Sequence, residues 1–260
     1  MFVESDQHDT PPIVVWPGHP QPLPNELLTS WLARVSSTNG LFVSQLLRAI
    51  KKGPSWERDM DVTAEPSLLL ALSERTGSSL ATVEGMRLTP LTYAGALMPI
   101  NAGYRKRRSY GLQACKSCLE ATTHYKRLWR VSLVVACHVH DEALIDRCPS
   151  CKKPLRVWQS TSVDQTTRFL SSNCFSCGHD LAAAQTLPVL PLNLKRYCRE
   201  LAEIASADSA VPTARWCENL RDLIRGSLAS SKSRKISPKT RPFSTRPHAE
   251  RLAIIDRALS

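Results

Sequence analysis

Four times between positions 115 and 177 the chain sets two metal-type donors with two residues between them. The pairs are Cys115 and Cys118, Cys137 and His140, Cys148 and Cys151, and Cys174 and Cys177. A two-residue gap in a turn lets both side chains reach one tetrahedral ion, so two pairs close one shell and four pairs close two. Sequential pairing predicts a three-cysteine, one-histidine site (Cys115, Cys118, Cys137, His140) followed by an all-cysteine site (Cys148, Cys151, Cys174, Cys177). A cross-braced pairing of the first pair with the third and the second with the fourth would use the same donors. The sequential scheme is preferred because only local loops have to close. His138 could replace His140 only by breaking the gap, and His179 reads as a bystander.

Other cysteine chemistries fit less well. The first twenty residues mix acids and prolines where a signal peptide needs a basic start and an apolar middle, and no apolar run approaches the roughly 18 residues of a membrane span. The expected location is therefore the cytoplasm, with no membrane partner, and there nine cysteines are poor disulfide candidates. Redox Cys-x-x-Cys chemistry needs an alternation of strands and helices that is missing, and a cysteine nucleophile would not need four register-matched pairs. The expectation is two structural Zn²⁺ ions whose binding, about 10 kcal/mol or more per site, is part of folding. Closed shells leave no open coordination position, so the chain is expected to be no enzyme and to carry no catalytic residues. Cys198 and Cys217 stand singly in apolar patterns and read as core fillers.

Charge narrows the partners. The 260 residues carry a formal +11, which implies attraction to a polyanion. Residues 104–157 hold twelve Lys and Arg against four Asp and Glu, residues 221–260 ten against three, and residues 1–103 seven against ten. The densest run is Arg105, Lys106, Arg107 and Arg108, between two tyrosines. These four are candidate phosphate contacts, as are Lys126, Arg127 and Arg130, read as facing outward while Tyr125, Trp129, Val131, Leu133 and Val135 pack over the first metal.

Apolar periodicity supplies the helices. Residues 1–24 contain six prolines and read as an extended arm. Asn25 is a candidate N-cap for a helix with Leu27, Leu28, Trp31, Leu32 and Val35 inward, and Val43 to Ile50 is a second helix. Over Ser67 to Leu88, Leu69 and Leu72 form one face, Gly77 a turn, and Ser78 or Ser79 a cap before Leu80, Val83 and Met86. That is helix-turn-helix spacing, with Ser79, Thr82 and Arg87 as candidate nucleic-acid contacts. "LKRYCRELAEIA" and "PTARWCENLRDLI" read as amphipathic helices, and Ser230 to Pro247 as a disordered basic tail. The expected fold class is mainly α with small zinc-ribbon or knuckle modules. Its parts are an arm (1–24), a helical helix-turn-helix domain (25–103), tandem zinc fingers (104–182), a short helical C-terminal region (183–228), and a basic tail with a short terminal helix (229–260).

Two stretches resemble the TniQ/TnsD family of transposon target-selection proteins. Pro24, Glu26, Leu28, Ser30, Trp31, Leu32 and Arg34 match its opening motif. Cys115, Cys118, Trp129, Arg130, Cys137, His140, Leu144, Cys148, Pro149 and Cys151 match its cysteine region, and His138 stands where members often have Pro. The resemblance implies a non-catalytic adaptor joining target recognition, by DNA or by an RNA-guided CRISPR effector complex, to an AAA+ transposition ATPase. A homodimer is a further expectation. The alternative from the residues alone is a stand-alone zinc-dependent, sequence-specific DNA-binding regulator.

Overall fold

A computed structural model describes residues 14–50, 59–88, 97, 98, 100, 112–122, 124–157, 172–183, 190–206, 243 and 246–259. The expected contacts Arg105 to Arg108, the helix "PTARWCENLRDLI" with Cys217, and most of the basic tail lie outside the described residues. Among the described residues the regular structure is helical, and extended segments meet only through isolated bridges. No described helix is long and apolar enough to cross a membrane.

Five helices form the N-terminal layer: α1 (Leu28–Thr38), α2 (Val43–Ile50), α3 (Met60–Thr63), α4 (Pro66–Thr76) and α5 (Leu80–Gly85). Their inward faces are the expected ones, with Leu28, Trp31, Leu32, Val35, Leu46, Leu47, Leu69, Leu72 and Val83 all buried. Pro66 opens α4, where its missing N–H costs nothing. Gly77 closes it in the left-handed region at φ +67°, the conformation that favours glycine. Ser79 then caps α5, its side chain accepting from the Thr82 N–H at 3.1 Å. The two-helix unit anticipated around Gly77 is therefore formed.

The start of α1 corrects the sequence reading. Asn25 is not its N-cap: it sits in the left-handed region at φ +57°, and its carbonyl accepts from the Arg127 N–H at 2.7 Å. The helix begins three residues later, after Leu27, with no local side-chain cap. The acceptor comes from α3, where Asp61 takes the Thr29 N–H at 2.9 Å and the Thr29 hydroxyl at 3.0 Å. A carboxylate is well placed at a helix N-terminus, and this one lies 32 residues away in sequence.

The matched opening motif is linked by hydrogen bonds centred on Glu26. Glu26 accepts from the Leu23 N–H, the Ser30 hydroxyl and the Arg34 guanidinium, the last at 2.6 Å. Trp31 Nε1 donates to the Pro20 carbonyl at 2.7 Å. Burial pushes the Glu26 carboxyl above the ordinary carboxylate range against the pull of these donors. Residues 14–24 run without helix along α1 and α4, where the Trp16 N–H bonds the Arg75 carbonyl. At Gly18 a Cβ would stand 2.8–2.9 Å from Thr38, so only glycine allows that approach.

Beyond the helical layer lie α6 (Lys116–Ala121), a 3₁₀ turn (Arg127–Arg130), α7 (Leu192–Ser206) and α8 (His248–Leu259). Helices α7 and α8 contact one another and close over the cysteine region. Tyr197 Oη donates to the Leu133 carbonyl at 3.3 Å, and the fully buried Arg251 donates to the Ser132 carbonyl at 2.6 Å and to Gln113 Oε1 at 3.1 Å. Gln113 in turn donates to the carbonyls of Val131 and Val134. In segment 131–134, where Val131 makes one isolated bridge to Leu97, these side chains supply donors to all four buried carbonyls.

Candidate metal centres and the surface around them

Three of the four donor pairs are built on one backbone knuckle. In each, the N–H four residues after the first cysteine bonds that cysteine's carbonyl, and the cysteine's own N–H bonds the carbonyl five residues on. At Cys137 the partners are Asp141 and Glu142, at Cys148 they are Lys152 and Lys153, and at Cys174 they are Gly178 and His179. The fourth-position residue is left-handed each time: Asp141 at φ +52°, Lys152 at +60° and Gly178 at +72°. His179 thus contributes a carbonyl, and its ring belongs to neither cluster. The first pair differs: Cys115 is the N-cap of α6, and its Sγ accepts the Cys118 N–H at 3.2 Å.

These half-sites converge in the sequential grouping. Cys115, Cys118, Cys137 and His140 form one cluster and Cys148, Cys151, Cys174 and Cys177 the other, the donor atoms of each lying within 4.8 Å of one another. A tetrahedral ion with bonds of about 2.3 Å to sulfur needs sulfurs about 3.8 Å apart. Cys118 and Cys137 are separated by 3.7 Å, Cys148 and Cys177 by 3.7 Å, and Cys151 and Cys174 by 3.8 Å. His140 offers Nδ1, 3.3 Å from the sulfurs of both Cys115 and Cys118 and 3.6 Å from that of Cys137. Such spacings are far beyond the roughly 2.05 Å of a disulfide and fit a metal ion. Both clusters could therefore bind one, and the cross-braced grouping is not formed.

Within the first cluster protons are unequally held. Hydrogen bonds from the Cys115 and Cys137 thiols, with Lys126 nearby, pull Cys118 down to about 3, while its bond to Cys118 pushes Cys115 far up. Glu142 takes Cys115 Sγ at 2.8 Å and is itself held by the Ser117 N–H and hydroxyl at 3.0 and 3.1 Å. His138 is half-buried and outside the cluster, its imidazole pushed down by burial. Cys198 is buried beside the amides of Val135 and Ala136, and burial raises its thiol to about 11.

A family model described as TniQ matches residues 17–144. The chain belongs to the TniQ family. The match begins in the arm and ends just past His140, so the TniQ region spans the helical layer and the whole first cluster, with the second cluster lying beyond it. No curated protein matches the chain significantly. A TniQ domain makes this a transposition-associated protein.

Among the described residues of the TniQ region, the cations that the sequence assigned to nucleic acid have partners inside the protein. Arg130 does not face outward: its side chain is fully buried and ion-paired with Asp61 at 2.7 Å and with Asp59, and it also donates to the Met98 carbonyl at 3.0 Å. The reason is the tertiary cap on α1. Asp61 is itself fully buried, and a buried carboxylate needs a charge partner; the turn after Lys126 supplies it. Burial weakens Arg130's hold on its proton, but the two aspartates outweigh this and keep it charged, while burial pushes the Asp61 carboxyl up despite Arg130.

Arg127 and Arg87 are half-buried, donating to the carbonyls of Arg87 and Ala64 at 3.1 and 2.9 Å. The first bond ties the cysteine region to the helical layer, and the second lies within that layer. Lys126 reaches Cys118 Sγ, whereas Ser79 and Thr82 are exposed. Tyr125, Trp129, Val131, Leu133 and Val135 are buried as expected. Sequence reasoning missed Asp59 and Asp61, for which only the short span "DMD" before a capless helix was a signal. It also missed Glu142, Gln113, His248 and Arg251, which no spacing rule marks.

Proposed function

We propose that this TniQ-family protein is a non-catalytic transposition adaptor, joining a target marked by DNA or by an RNA-guided effector to an AAA+ ATPase. The observation that carries the reading is the TniQ match over residues 17–144, a region that closes on a four-donor cluster. Each cluster holds Zn²⁺ in this proposal, because three or four thiolates suit a soft tetrahedral ion. Four protein donors per ion leave no position for a substrate or an activated water, so the ions act as scaffolding. They hold Tyr125 to Arg130 against α1, where the Leu27 N–H bonds the Tyr125 carbonyl and the Tyr125 N–H bonds Ser30 Oγ. The domain division follows: helical layer, paired metal modules, and a C-terminal helical closure.

Contacts with nucleic acid fall in this reading to Ser79, Thr82 and the Arg105 to Arg108 run, with protein contact made by the helical layer. The test is a pull-down of the purified chain against the AAA+ ATPase encoded beside it, with and without duplex DNA at low salt. Association strengthened by DNA is expected. No association under either condition, together with tight binding to one duplex sequence, would replace the adaptor with a stand-alone DNA-binding regulator.

A further inference from the structure

We propose that Lys126 is the charge-balancing group of the Cys115, Cys118, Cys137 and His140 centre, holding its thiolates in place rather than contacting nucleic acid. The inference rests on the reading that this cluster binds a divalent ion. Three thiolates and a neutral imidazole around a divalent cation leave one surplus negative charge. Glu142 adds a carboxylate beside the cluster, held there by the Ser117 N–H and hydroxyl at 3.0 and 3.1 Å. The centre therefore needs a cation close by. Lys126 Nζ donates to Cys118 Sγ at 3.4 Å while standing 5.9 Å from the centroid of the Trp129 ring.

The fold presets this position from both sides. The backbone of Lys126 is bridged to Glu26, and Trp129 is buried, edge-on to Tyr125 with centroids 5.7 Å apart. The stem of Lys126 is thus anchored at its root, and the ring face supports the ammonium over Cys118. A cation donating to a bound thiolate offsets the repulsion between the sulfurs and fixes the Cys118 rotamer, as partners outside the ligand shell do at metal sites generally. Its sulfur contact is at the first cluster, so its effect belongs to one of the two ions.

The test uses the full chain loaded with zinc, as wild type, Lys126→Met and Lys126→Arg, with transfer of each ion to a chromophoric chelator and affinity for a mixed-sequence duplex measured side by side. In Lys126→Met one ion is expected to transfer about 10- to 100-fold more readily while the other keeps its wild-type behaviour. Lys126→Arg restores most of the loss, and duplex affinity is unchanged. Three results would overturn the proposal: both ions held as in wild type, both weakened equally, or metal retained while duplex affinity and its salt slope fall. A wild-type chain that binds one ion, and keeps it in Cys115→Ser, overturns the cluster reading itself and the role of Lys126 with it.

Discussion

Replacing Arg130 with Met tests the joint between the helical layer and the first metal module. The substitution keeps an apolar stem in place but removes the bonds to Asp61, to Asp59 and to the Met98 carbonyl. Asp59 is 19% exposed and can turn to water, whereas Asp61 is fully buried and keeps only the two donors of Thr29. Removing one partner of a buried pair costs about 3–5 kcal/mol, because the other charge stays behind. Against a total stability of about 5–15 kcal/mol, that lowers the ratio of folded to unfolded protein by roughly a hundred- to several-thousand-fold. Urea unfolding at neutral pH with zinc present measures the loss. Elemental analysis of the folded protein checks that both ions remain.

The Arg130→Met, Asp61→Asn double variant leaves no stranded charge, so it should recover at least about 1 kcal/mol relative to additivity. Arg130→Lys should recover only part of the loss, since an ammonium cannot span two carboxylates as the guanidinium does. A single variant within about 1 kcal/mol of wild type, or a double variant that is strictly additive, would refute the argument. So would normal stability combined with weakened duplex binding, the result expected of a surface phosphate contact.

Metal removal should be as damaging. EDTA is expected to extract two ions per chain and unfold the cysteine region, read as a shift in fluorescence from the buried Trp129, because about 10 kcal/mol or more per site is folding energy. Cys115→Ser and Cys148→Ser should each retain one ion. His248 should make stability acid-sensitive: burial, then Arg251, pulls it from 6.5 to about 4, so the unfolded chain takes the proton first. Its contribution is complete above about pH 6.5 and lost as pH falls toward 4. In urea titrations the gap between wild type and His248→Gln should therefore narrow by about 2 kcal/mol from pH 7 to pH 5, the acid loss at the shared metal ligands cancelling. A gap constant with pH would count against the burial argument. Gly77→Ala meets no atom within 4 Å of the new Cβ but must hold φ +67°, so thermal melts should show a loss of about 1–2 kcal/mol. Gly85→Ala, equally open and without a positive φ, should be neutral or stabilising.

The sequence by itself determined whatever depends on near neighbours. A two-residue gap between donors is a property of one turn, so the four pairs were legible, although the shared left-handed residue at Asp141, Lys152 and Gly178 was not. The apolar faces of α1, α4 and α7, the glycine stop at Gly77 and the Ser79 cap follow from helical periodicity and local bonding in the same way. Only the tertiary structure decided the fate of the charges. Arg130 lies in a basic stretch and looks solvated until residues 59–61, 28–30 and 130 meet; Asp61 then caps a helix 32 residues away and brings the guanidinium inside. Lys126 likewise finds a sulfur, and Arg251 a set of bare carbonyls. Hydrophobic periodicity and donor spacing are short-range properties of a chain. Whether a charge faces water or a buried partner depends on segments that sequence alone does not bring together.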